Sequence, residues 1–216
     1  DSKEQIVEEF FANATDTDVY ARNYNELKKL ELDSEIEDFI SPLAIPSIKT
    51  LRGNFIGEEG VDTETILNKI ANYLYKIGKI ENSNYTRVPL ATLADDKWMF
   101  NNKQLYVVEQ ISSGLNLLEN SFKTPLKAKE QNNRENKFEN AINILKNGKK
   151  DNYIIINATP LELKKLFLLD ARLPYIFDQT IYFKDYNDEE LLKFFKEELS
   201  EYHKNLIKDD FDKSFL

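Results

Sequence analysis

The chain has 216 residues, of which 41% are hydrophobic, with 14 Phe and 11 Tyr, enough apolar bulk for one large domain or one domain plus an extension. Its formal net charge is −9, and the charged 31% is spread rather than segregated, which excludes a general nucleic-acid binder because phosphate contacts need clustered Lys and Arg. The absence of cysteine excludes disulfides, thiolate metal sites and cysteine nucleophiles, and no apolar run reaches the roughly 18 to 20 residues of a membrane-spanning helix, so a cytoplasmic protein without membrane contact is expected.

The N-terminus "DSKEQIVEEFF" is acidic and polar, unlike a targeting segment, and it begins without Met, as expected of a trimmed or processed form. "KEQIVEEFFANA" carries Ile6, Val7, Phe10, Phe11 and Ala14 at helical spacing, and "VYARNYNELKKLEL" repeats the pattern with Tyr20, Tyr24, Leu27 and Leu30. Asp33 and Ser34 offer a cap for "EIEDFI", which Pro42 stops. Residues 1–46 therefore read as an N-terminal helical segment and 47–216 as an α/β domain. Ser47 to Ile56 is a short apolar and β-branched run that predicts a strand. From Thr63 the positions Ile66, Leu67, Ile70, Ala71, Leu74 and Ile77 form one apolar face of a helix closed by Gly78.

"YTRVPL" reads as an edge strand interrupted by Pro89. "QLYVVEQI", Gln104 to Ile111, and "NYIIINAT", Asn152 to Thr159, are continuous apolar runs, the pattern of strands buried on both faces of a parallel sheet. The polar stretch Ser121 to Lys137 between them predicts a mobile loop. "KFENAINILKNGKK" predicts a helix stopped by Gly148, and "TPLELKKLFLLD" another with Thr159 as cap and Pro160 at its first position. "QTIYF" is a final short strand, and "YNDEELLKFFKEELSEYHKNLI" a long helix capped by Asn187 or Asp188. Strands alternating with helices of this length predict an α/β fold whose parallel sheet is covered on both faces.

The stretch "GNFIGEEGVDTETILNKIANYLYKIGKI", Gly53 to Ile80, has the outline of a phosphate-binding turn. In an active P-loop, backbone N–H groups and a helix N-terminus hold phosphates, a lysine reaches the terminal phosphates and a Ser or Thr binds magnesium. Here the sequence resembles the AAA+ ATPases, and more narrowly their CbxX-type group. "LYVVEQI" stands where that group has its metal-directing strand, and "NYIIINATPLELKKLFLLDARLPYIFDQTIYFKDYNDEELLKFF" is similar to its sensor strand, arginine-finger segment and following helix. The resemblance covers Ile48 to Phe195 and implies a three-layer parallel-sheet P-loop NTPase-like core, with a truncated or absent helical lid. It also requires, against an accidental likeness in an unrelated α/β binding domain, that the strand ending at Ile56 neighbours the one ending at Glu109, with the loop Gly57 to Asp62 between them.

The departures from the family pattern fall on its chemistry. Gly57 and Gly60 are kept, but Thr63 stands at the phosphate-binding lysine, Glu64 at the magnesium-binding hydroxyl and Asp62 at a glycine that admits phosphate. Glu109 replaces the metal-directing aspartate and Gln110 the catalytic glutamate. Asn157 falls on the sensor strand, and the arginine finger aligns with Ile176, with Arg172 and Pro174 nearby. Two unit charges about 4 Å apart interact by roughly 4 kcal/mol at an effective dielectric near 20, so Glu58, Glu59, Asp62 and Glu64 should repel a polyphosphate.

The resemblance thus implies a catalytically inactive scaffold or protein-interaction module with no cofactor and no metal, whose partners are proteins, among them active AAA+ subunits. The alternatives are a nucleotide- or metal-binding enzyme with Glu64 and Glu109 as non-standard ligands, or an unrelated α/β binding domain. Elsewhere, His203 lies beside Glu201 and Lys204 and reads as a surface residue. "ADDKWMF", Ala94 to Phe100, reads as a solvated loop with Trp98 anchored in the core, and Lys123 to Lys129 as solvated loop.

Overall fold

The computed structural model describes residues 15–58, 61–95, 97–123, 139–146 and 151–183, with side chains of the 111–123 helix described through Leu117. The helix expected in "KEQIVEEFFANA", Gly60, Asp96, most of the 121–137 loop, Gly148, and the terminal helix with His203 lie outside the described residues.

Five strands form one sheet: β1 (Leu51–Ile56), β2 (Thr86–Pro89), β3 (Leu105–Glu109), β4 (Tyr153–Ala158) and β5 (Gln179–Tyr182), in the order β2-β3-β4-β1-β5. Every pairing is parallel. Because successive side chains of a strand point to opposite faces, a continuous apolar run must find cover on both sides. Leu51 and Phe55 of β1, Leu105 and Val107 of β3, and Tyr153 and Ile155 of β4 face one layer, with Leu67, Ile70, Ala71 and Leu74 of the Glu64–Lys76 helix and Ile36, Phe39 and Ile40 of the Ser34–Ile40 helix. Leu27 of the Asp16–Lys28 helix joins the same cluster. Tyr106, Val108, Ile154 and Ile156 face the other layer, against Ile111 and Leu115, Ala141, Ile142 and Leu145, and Leu163 and Leu166 of the Pro160–Phe167 helix. Each large apolar side chain taken fully from water contributes about 1.5–3 kcal/mol, which sets the sandwich of helices, sheet and helices.

The amphipathic helix expected after Thr63 runs from Glu64 to Lys76 and ends at Gly78, whose φ is +74°. Lys79 N–H donates to the Leu74 carbonyl at 2.8 Å and Gly78 N–H to that of Tyr75 at 3.0 Å, the paired bonds that close a helix through a left-handed residue. "YTRVPL" does supply an edge strand, β2, with Pro89 at its end.

Four expectations are corrected. The strand expected from Ser47 starts only at Leu51, because the Lys79 ammonium donates to the carbonyls of Ile45, Pro46 and Ile48 at 2.8, 3.1 and 2.6 Å and holds that stretch as a turn. The strand expected over Gln104 to Ile111 stops at Glu109, since Gln110 turns to φ +54° and Ile111 opens a helix through Lys123. Ser121 to Lys123 are therefore helical and not the start of a loop. The strands ending at Ile56 and Glu109 are not neighbours, for β4 lies between them. β4 presents Tyr153 to Ile156 with no more than 1% exposure each, as befits a strand paired on both edges and covered on both faces, a requirement of burial that the chain order does not reveal.

Asn54, fully buried in β1, ties β5 and the turn before it to the centre of the sheet. Its Nδ2 donates to the carbonyls of Phe177 at 2.8 Å and Gln179 at 3.3 Å, and to Thr180 Oγ1 at 3.2 Å. Replacing Asn54 by Ala leaves those acceptors unpaired and opens a void, at a cost of about 2 kcal/mol. A matching fall in the urea midpoint at unchanged m-value checks this.

Candidate functional site

The chain leaves β1 over one face of the sheet through the Glu64–Lys76 helix and reaches β2 at the far edge. It leaves the neighbouring β4 over the opposite face through the Pro160–Phe167 helix and reaches β5. Adjacent strands whose connections depart in opposite directions leave a crevice beyond their carboxyl ends, the usual ligand position in an open α/β sheet. A cleft of about 300 Å³ lies there, small for a ligand site. It is lined after β1 by Gly57, Glu58, Val61 and Thr63, at the end of β3 by Glu109 and Gln110, and at the end of β4 and just beyond it by Asn157, Ala158, Thr159 and Glu162.

The structure thus brings Gly57, Thr63, Glu109, Gln110 and Asn157 together, although β4 separates the strands that carry the first and third of these. Gly57 N–H donates to the Ala158 carbonyl at 3.2 Å, and a Cβ on Gly57 would meet Val61 Cβ at 3.2 Å, so the loop folds back tightly on itself. Thr63, only 8% exposed, accepts a hydrogen bond on Oγ1 from Asn157 Nδ2 at 3.2 Å. The short Thr63 hydroxyl is thus bonded across the crevice to the end of β4.

The first amide of the Glu64–Lys76 helix is engaged from within the chain. Asp62 accepts the Glu64 N–H on Oδ1 at 2.9 Å and the Thr65 hydroxyl on Oδ2 at 3.2 Å. A carboxylate at this point satisfies an otherwise orphaned donor and offsets the positive helix end. Glu162 does the same on the opposite wall. Its Oε2 accepts Thr159 N–H at 2.9 Å, closing a capping box, while its Oε1 accepts Ser112 N–H at 3.0 Å, so one carboxylate serves the N-termini of two helices. Burial raises the Glu162 pKa, but the hydrogen bonds from Thr159 and Ser112 outweigh it and hold the carboxyl below its ordinary value.

Glu64 and Glu109 are bridged by a cation from the chain itself. Arg87 on β2 lies 3.2 Å from Glu64 Oε2 and 3.6 Å from Glu109 Oε2, and its guanidinium stands 5.7 Å from the Tyr85 ring centroid. Both Arg87 and Glu64 are half exposed or more, so the pair contributes at most about 1 kcal/mol. Its importance is positional, since the two carboxylates share an arginine where the alternative reading required a metal. Among the described residues no group of three or more acidic or imidazole side chains is arranged to hold a metal ion, and no basic side chain lines the cleft.

Ile176 lies elsewhere. It ends the short Leu173–Ile176 helix, packs partly buried against the layer that includes Leu173 and Phe177, and borders a separate cavity of about 270 Å³ with Phe39, Leu51 and Arg52. Arg172 is bound to Asp170 through Nε at 3.1 Å and Nη2 at 2.9 Å. Trp98 is anchored as expected, edge-on to Phe100 and Tyr106.

Sequence reasoning passed over Glu162 and Arg87. The signal for Glu162 was present in "TPLE", where a threonine followed three residues later by glutamate is the capping-box pattern. Arg87 had no such signal, because its partners come from a different helix and strand.

Replacing Glu162 by Gln tests the double cap. The Glu162 pKa is depressed in the folded chain, so its contribution is present above the ordinary glutamate value of 4.5 and is lost as the pH falls through the lower folded value. The variant is expected to be less stable at neutral pH by about 1 kcal/mol and to converge on the parent as the pH is lowered, as read by thermal melts across the acid range.

The chain matches no protein-family model and no curated protein at a significant level.

Proposed function

We propose that this is a degenerate AAA+-like domain of P-loop NTPase type that has lost nucleotide binding and hydrolysis and serves as a cytoplasmic scaffold or protein-interaction module, with active AAA+ subunits among its partners. One observation supports the loss of activity: the Glu64 N–H, at the start of the helix after β1, already receives Asp62 of the same chain, and the opposite wall holds Glu162, fixed as the cap of two other helices. A polyphosphate would have to displace the Asp62 carboxylate and then meet Glu58, Glu109 and Glu162 in a cleft lined, among the described residues, by no basic side chain. The displaced cap costs about 0.5–2 kcal/mol before any repulsion is counted.

Hydrolysis lacks its parts as well. Gln110, at the place of the catalytic glutamate in the family pattern, has no carboxylate to activate water. Glu109 is paired with Arg87, and Thr63 bonds to an amide rather than to a base. The partner role rests on the resemblance, since a fold by itself does not assign a function.

Isothermal titration of the purified chain with ATP and magnesium tests the central claim. No heat of binding is expected up to millimolar nucleotide, and saturable binding at micromolar concentration would overturn the reading.

A further inference from the structure

We draw no further inference here: the strongest candidate, the exposed apolar side chains Leu161, Leu168, Tyr175 and Tyr182 on the connection from β4 to β5 and on β5 itself, carries nothing because nothing in the structure shows what covers them.

Discussion

A chain carrying Asp62→Gly, Thr63→Lys and Glu64→Thr together is expected to gain measurable binding of ATP or pyrophosphate with magnesium that the parent lacks. The substitutions change the charge at the mouth of the cleft by three units in the direction that favours an anion. They also free the Glu64 N–H from Asp62 and remove the hydroxyl that Asn157 now holds. At a partly exposed site each unit of charge is worth about 1 kcal/mol, so the sum is about 3 kcal/mol, or somewhat more than a hundredfold in affinity.

Glycine at position 62 lets backbone approach the ligand closely, and lysine at 63 reaches from the residue that caps the helix. The lost cap and the lost Thr63–Asn157 bond together cost about 1–2 kcal/mol of stability. Circular dichroism and a urea titration must therefore show a folded variant before its binding is read. Hydrolysis is not expected to appear, because Glu109 and Gln110 are untouched. A folded triple variant that still binds no polyphosphate by calorimetry would mean that the turn after β1 lacks the shape of a phosphate cradle, and the proposed lineage would lose its structural basis.

The parts of this molecule that were legible in sequence are those where one local rule governs the outcome. "YIIINA" is apolar without alternation, so it had to be buried on both faces, and β4 is. The helix after Thr63 combines a 3.6-residue apolar period with a glycine stop, and both features appear as read. The errors arose where long-range contacts decide. The turn over Ile45 to Ile48 depends on an ammonium from Lys79, more than thirty positions away. The Ile111–Lys123 helix, absent from the sequence reading, contains Gly114, a weak helix former. In the fold that glycine permits close packing, since a Cβ there would sit 2.7 Å from Leu90 Cβ.

Neighbourhood in the sheet was misjudged for a related reason. Chain order does not state which strand fills the centre: β3 and β4 both carry four consecutive buried apolar residues, and it is β4 that lies between β1 and β3. The cleft survives this correction, because Asn157 and Glu162, both of which follow from the position of β4, supply its remaining wall.

Gly53 makes the same point about close approach in the core, and its replacement by Ala is expected to be the most damaging single change considered. Gly53 sits in β1 opposite Ile155 of β4 and Gln179 of β5, and a Cβ there would overlap the ring of Phe39. That ring is 5% exposed and lies 5.6 Å, centroid to centroid, from the ring of Phe55, so it has little room to turn aside. Overpacking of a filled core costs about 1–3 kcal/mol, and the upper end applies because the overlap is with an aromatic ring rather than a flexible chain end. Relief of glycine entropy in the strand returns only about 0.5–1 kcal/mol.

Phe39→Leu alone should also destabilise, by leaving a void beside the glycine, but it makes the room that alanine needs. The double variant is therefore expected to lose at least about 1 kcal/mol less than the sum of the two single losses, the coupling expected of residues in direct contact. A urea-denaturation cycle of the four proteins measures it. Additivity would mean that the Ser34–Ile40 helix does not press its ring onto β1. The strand that leads into Gly57 and the cleft would then be positioned by β4 and β5 alone.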